Sequence, residues 1–281
     1  MLGAGKLIAS IFVTSILYAY TIPSVSGDKT KESVTDLIDE LTQIDSQSPG
    51  INSAAIYEGF IANNSSGSFQ GGVLGVPPRE VPPQMSELVR RGSAAMPELI
   101  NHLDDKRPTK LEVGNKPSGS QVGVDAFTFM YFSDEYDSRK PGWIRGPRYM
   151  DKDFSGTYTV KVADVCYVLI GQIVNRRLLA VRYQPSGGLV VNSPIKAPVL
   201  AKRVRAEWSN ADSEGLRQSL LEDIRGTNRP FRFSRVGFTE RFSNPALERL
   251  RFYFPDAYNR LEGDDLKKRK EFEKLAADSR R

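Results

Sequence analysis

Imidazole and thiol are almost missing from this chain, whose 281 residues include one histidine, His102, and one cysteine, Cys166. A single cysteine excludes an intramolecular disulfide, and one residue of each kind cannot build a Cys- or His-rich zinc site. Any Ser-His-Asp or histidine-metal mechanism would have to run through His102. Beyond residue 26 the phosphate-loop, dinucleotide, nucleophile-elbow and H-E-x-x-H patterns are absent too, and no cofactor is expected. That part of the chain also has no apolar run near the roughly 20 residues that a bilayer crossing needs.

What is present is ordinary globular material, 40% apolar and 26% charged, enough for a packed core along most of the length. The N-terminus differs. Lys6 is followed by an uncharged apolar run from Leu7 to Ile22, then Pro23 and the small residues Ser24-Val25-Ser26. This order is that of a secretory signal, so residues 1–26 are expected to be a signal peptide and the remainder exported, periplasmic or extracellular. An uncleaved anchor is the rival reading, although the run is short for one.

Charge is uneven beyond that point. Residues 27–195 carry 18 basic and 20 acidic side chains, whereas 196–281 carry 20 and 14, a net +6. An exported protein meets little nucleic acid, so the basic half points to an anionic envelope polymer or a protein partner.

Residues 27–84 read as an N-terminal helix and a Gly/Pro/Ser-rich loop. Ser33 is placed as N-cap with Asp36 three residues on, and Val34, Leu37, Ile38, Leu41 and Ile44 fall at helical spacing. Residues 62–84 have no apolar period, and Asn63-Asn64-Ser65-Ser66 contains two overlapping glycosylation sequons. In 85–105, a first helix carrying Met85, Leu88 and Val89 stops at Gly92. A second carries Met96, Leu99, Ile100 and Leu103, with Pro97 in its first turn. Joined so tightly, the two are expected to lie antiparallel. Residues 162–175 place Val162, Val165, Cys166, Leu169 and Ile173 on one helical face, with a buried strand as runner-up. Further helices are expected at 194–208, 214–225, 245–254 and 264–278. Within 106–159, Val122–Val124 and Phe127–Phe132 suggest short strands or extended apolar segments.

The run L-V-R-R-G-S-A-A-M-P-E-L-I-N-H-L-D-D, over residues 88–105, resembles a HEAT repeat. The segments VADVCYVLIGQIVNRRLLAVRYQP and VNSP are similar to secreted bacterial proteins that carry such a repeat and to which no activity is assigned. The resemblance implies a fold that is mainly α: HEAT-like antiparallel helical hairpins over 85–261, with a long irregular insertion at 106–159 and a charged C-terminal helix at 262–281. It implies a scaffold whose surface binds other macromolecules, and it transfers no chemistry.

Few side chains compete for a functional role. His102 falls at a helix end, where a capping role is favoured, and Cys166 lies on an apolar face, where a thiol behaves as a small hydrophobe. Asp151-Lys152-Asp153-Phe154-Ser155-Gly156 begins like a calcium loop but has Val162 where the bidentate Glu is required. The expected partner-binding residues are Arg229, Phe231, Arg232, Phe233 and Arg235, where guanidinium and ring alternate, continued by Arg241, Arg249 and Arg251. The alternative is a carboxylate-dependent hydrolase of envelope polysaccharide using Asp134, Glu135 or Asp137 beside Tyr131, Tyr136 and Trp143. The leading reading is an exported, non-enzymatic helical scaffold that binds a protein or an anionic envelope polymer.

Overall fold

The computed structural model describes residues 32–45, 60–63, 81–114, 129–136, 148–149, 157–183, 188–226 and 245–278. The expected signal segment, residues 122–124, the calcium-like hexapeptide 151–156 and the Arg/Phe run 227–244 lie outside them. Among the described residues the chain is mostly helical with a few short strands, and no helix is long and apolar enough to cross a membrane.

The architecture is organised around α4, Val162–Val174. Every one of its 13 residues is buried. Apart from Asp164 and Gln172 the helix offers only apolar side chains, Tyr167 and Gly171, and a helix that is apolar all round must be enclosed on every side. The sequence expectation of a helix here holds, but its one-sided face does not, because Asp164 and Gln172 are themselves in the core. The helix begins without a connecting turn after β4, Thr157–Lys161, where Asp164 accepts the Lys161 amide at 2.8 Å. It ends at Asn175, whose φ of 55° stops the helical path.

Two short helices pack on α4, and a third packs on those two. In α1, Val34–Glu40, the Ser33 hydroxyl accepts the Asp36 amide at 3.0 Å while Asp36 accepts the Ser33 amide, the reciprocal capping that the sequence suggested. Helix α2, Pro83–Arg91, ends at Gly92, and α3, Met96–Asn101, follows with Pro97 in its first turn. Leu88, Val89, Leu99 and Leu103 are all buried, so both stripes point inward as expected. Each of these two helices packs on α4 and α1 more than on the other. His102 closes α3, its Nδ1 2.8 Å from the Glu98 carbonyl oxygen.

Strand β1, Pro108–Gly114, pairs antiparallel with β4 and so ties together the two ends of the 106–159 segment. Thr109, Leu111 and Val113 alternate inward from β1, as Tyr158 and Val160 do from β4. A second sheet runs in the order β3-β2-β6-β5, formed by Arg148–Tyr149, Phe129–Ser133, Gly188–Val191 and Val181–Tyr183. β2 and β6 are parallel, and the other pairs are antiparallel. β2 falls on the segment expected to be extended. β1, β3, β4, β5 and β6 were not anticipated.

The C-terminal half adds α5, Pro198–Trp208; α6, Ser213–Arg225; α7, Pro245–Tyr253; α8, Pro255–Asn259; and α9, Gly263–Asp278. α5 starts later than its sequence pattern, because residues 193–197 form a turn in which Ala197 donates to the Ser193 carbonyl. Gln172 joins the two halves. Its side-chain oxygen accepts the Ile61 amide at 3.4 Å and the Arg249 guanidinium at 3.3 Å, and its carbonyl takes a second Arg249 bond at 2.5 Å.

Candidate functional site

The candidate site is an open groove of about 730 Å³ between α6, α8 and the start of α9. Its shape follows from a break in the chain. α7 ends at Tyr253, and Pro255 starts a new short helix because proline fits a first turn but cannot continue the one before it. The Phe254-Pro255 kink and the turn after Asn259 lift α8 away from α6.

α6 is capped by Asp212, which accepts the Gly215 amide at 2.8 Å, and it buries Leu216, Leu220, Leu221 and Ile224. Its other face carries Glu214 and Arg217 to the groove. The floor carries the apolar Leu221, Phe254, Ala257 and Leu261, while most of the surface that the groove exposes is polar. Tyr253 turns its hydroxyl away to donate to the Val89 carbonyl oxygen at 2.5 Å, and burial pushes its phenol up.

The rims carry charges of both signs. Arg217 donates through Nε to Glu214 at 2.8 Å, and the hydrogen bonds from Arg217 and then Gln218 hold the Glu214 carboxyl down at about 2. Arg225 Nε lies 3.2 Å from Asp265 across the mouth between α6 and α9. Asp256, Arg260 and Glu262 are exposed on the opposite rim. α9 is held by Tyr258, whose hydroxyl donates to Glu273 at 3.0 Å while Arg269 stacks over its ring. Burial, followed by the bond to Glu273, pushes the Tyr258 phenol up to about 12. Glu214 stays ionised across the ordinary pH range, so this rim offers fixed charge. An apolar floor between rims of fixed opposite charges suits an extended chain that anchors an apolar group and places charges on either side.

Of the side chains proposed from sequence as partner-binding or catalytic, those among the described residues do not line this groove. Arg229, Phe231, Arg232, Phe233 and Arg235 lie outside the described residues. Arg249 is buried, with its guanidinium 4.7 Å from the Phe60 ring centroid, and is part of the core. Arg251 stacks 5.4 Å over Phe272. Glu135 and Tyr136 are buried, and the Tyr136 hydroxyl donates to Glu207 of α5 at 2.8 Å, which makes this corner cover for the helix. Asp134 and Tyr131 are half-buried, and Asp137 and Trp143 lie outside the described residues. Cys166 is enclosed, and burial pushes its thiol up. Among the described residues no group of three or more His, Cys, Asp or Glu side chains is arranged to hold a metal ion.

As a set the groove residues escaped the sequence reading, although Arg225, Tyr253 and Phe254 belong to the Arg/Phe stretch and its continuation. Two local signals could have marked them: the Phe254-Pro255-Asp256 interruption, and the Glu214/Arg217 pair at i, i+3 spacing. No family model, curated protein or solved structure matches the chain.

Proposed function

We propose that this is an exported, non-enzymatic helical scaffold that binds a macromolecular partner, protein or anionic polymer, in the cell envelope. The observation that carries the reading is the groove, with its apolar floor and its fixed charges on both rims. The net +6 over residues 196–281 supports an anionic or acidic partner, and the signal-like residues 1–26 support export. In this reading the Gly92 turn, Pro97 and the buried Leu99/Leu103 stripe form a HEAT-like unit, and the Arg229–Arg235 run extends the binding surface.

The test uses residues 27–281 immobilised and exposed to envelope extract, with bound material split into protein and anionic polymer before identification. Asp256→Lys combined with Arg260→Glu reverses the exposed rim without touching the core, and is expected to weaken capture of the identified component at least tenfold. Undiminished capture would refute the groove. A triple change of Arg229, Arg232 and Arg235 to Glu that leaves capture intact would remove the basic run from the surface.

A further inference from the structure

The junction of β4 with α4 holds a carboxyl without access to water. Asp164 is fully buried. Its Oδ2 accepts the Tyr158 hydroxyl at 2.6 Å and the Lys161 amide at 2.8 Å. Ser193 Oγ stands 2.9 Å from the Tyr158 oxygen and also accepts the Ile195 amide. Three elements therefore meet at one carboxyl: β4 through Tyr158, the first turn of α4 through Asp164, and the turn after β6 through Ser193.

The two carboxyl oxygens are treated differently. Oδ1 is as buried as Oδ2, yet no hydrogen-bond partner reaches it. An ionised carboxyl divides its charge over both oxygens, so a carboxylate here would leave half a charge with neither water nor donor. A carboxylic acid has one acceptor oxygen and one hydroxyl. Oδ2, with its two donors, occupies the place of the acceptor, and Oδ1 that of the hydroxyl.

The neighbours set the balance. Burial is the largest influence and raises the Asp164 pKa. The bonds from Tyr158 and the Lys161 amide, with the Ser193 hydroxyl beside them and the Lys161 charge, oppose it without cancelling it. Cys166 lies two residues along α4, and Asp105 and Arg107, entering ahead of β1, act on that thiol. Burial and Asp164 together push the Tyr158 phenol up, so it stays a neutral donor.

We infer that Asp164 is carried as the neutral acid with its proton on Oδ1, and that losing this proton places an uncompensated charge where β4, α4 and the turn after β6 meet, so that the fold loosens when it leaves. In the unfolded chain an aspartate loses its proton near pH 3.9. Between that pH and the higher folded value, the folded state holds one proton more than the unfolded state. Stability therefore falls as pH rises through this window and is insensitive to Asp164 on either side of it.

The experiment follows the side-chain carboxyl carbons of the full chain, labelled with carbon-13 at aspartate, through a pH titration. Asp164 is assigned through its backbone connections, so the measurement needs no variant that folds. The expected result is a resonance still in the protonated position well above the pH at which an aspartate of the unfolded chain has become a carboxylate. A carboxylate signal there would overturn the inference. In parallel, urea unfolding of the wild type should show its equilibrium constant shift about tenfold per pH unit more within the window than that of Asp164→Asn. Equal slopes in a folded variant would overturn it too.

Discussion

At the scale of single residues, Gly92, between α2 and α3, is constrained by its backbone and by a neighbouring ring together. Its φ of +57° with ψ of −128° lies where side chains of L-residues are strained, and an added Cβ would stand 2.8 Å from Cε1 of Tyr253. Tyr253 cannot give way easily, because its hydroxyl is tied to the Val89 carbonyl oxygen and its ring packs edge-on against Phe60. Backbone strain and ring displacement therefore add. Gly92→Ala is expected to cost about 1–3 kcal/mol, read as a lower urea midpoint at unchanged slope. Gly171 shows a different close approach, since a Cβ there would meet the Arg176 carbonyl oxygen at 2.7 Å with φ in the ordinary range. The two lone sulfur and imidazole side chains, prominent by scarcity, both prove to be pieces of local structure. Cys166 fills the core, and His102 closes a helix.

At the scale of elements, the contact between α4 and α6 is the strongest polar clamp. Arg176, one residue past the αL position at Asn175, donates to Asp223 at 2.6 Å, and Asn175 Nδ2 adds a bond to the same carboxylate at 2.7 Å. The pair is nearly buried, at 12% and 9% side-chain exposure, and the guanidinium also stacks 5.5 Å from the Trp208 ring. Removing one partner of such a pair strands the other in a medium that solvates it poorly. Asp223→Ala is expected to cost about 3 kcal/mol, the low end for a buried pair, because some water still reaches this one. The double change Arg176→Met with Asp223→Leu is expected to cost less than that single change, and circular dichroism during urea unfolding of all three variants decides it. Helices were the readable elements. α1 and α6 each follow from a capping residue and an apolar stripe, signals that act within a few residues of one another, although the α6 cap is Asp212 and not the Ser213 beside it. The strands were less readable because most are short and two of the pairings, β1 with β4 and β2 with β6, join segments far apart along the chain. Gly188–Val191 becomes a strand by lying between Phe129–Ser133 and Val181–Tyr183. The groove was unreadable for the same reason: Arg225 and Asp265 face each other across 40 residues of sequence.

At the scale of the whole molecule, the fold is a gradient of enclosure that runs outward from α4. The unit from Ser33 to Arg281 has one contiguous apolar cluster, to which α4 contributes Val162, Val165, Cys166, Tyr167, Leu169 and Ile173 at full burial, while α9 contributes only Phe272. α9 is instead fixed by stacking and ion pairs on its own side: Arg251 over Phe272, Arg269 over Tyr258, and Arg225 with Asp265. Pairs that are half exposed contribute about 0–1 kcal/mol each, far less than an enclosed apolar helix. Opening α9 therefore exposes little apolar surface, whereas opening α4 exposes the shared core and is equivalent to unfolding the unit. Native-state hydrogen exchange should divide accordingly. Amides of Cys166–Ile170 are expected to exchange only through global opening, with a urea dependence equal to that of equilibrium unfolding. Amides of Lys267–Lys274 should exchange at least a hundredfold faster through local opening that urea hardly affects. This ordering also bears on the groove, since its α9 wall would then be the part that yields when an occupant is seated, while α6, clamped to α4 by Arg176 and Asp223, keeps its place. Equal protection in α4 and α9 would show instead that the groove is as rigid as the core, and that any occupant must fit the shape already present.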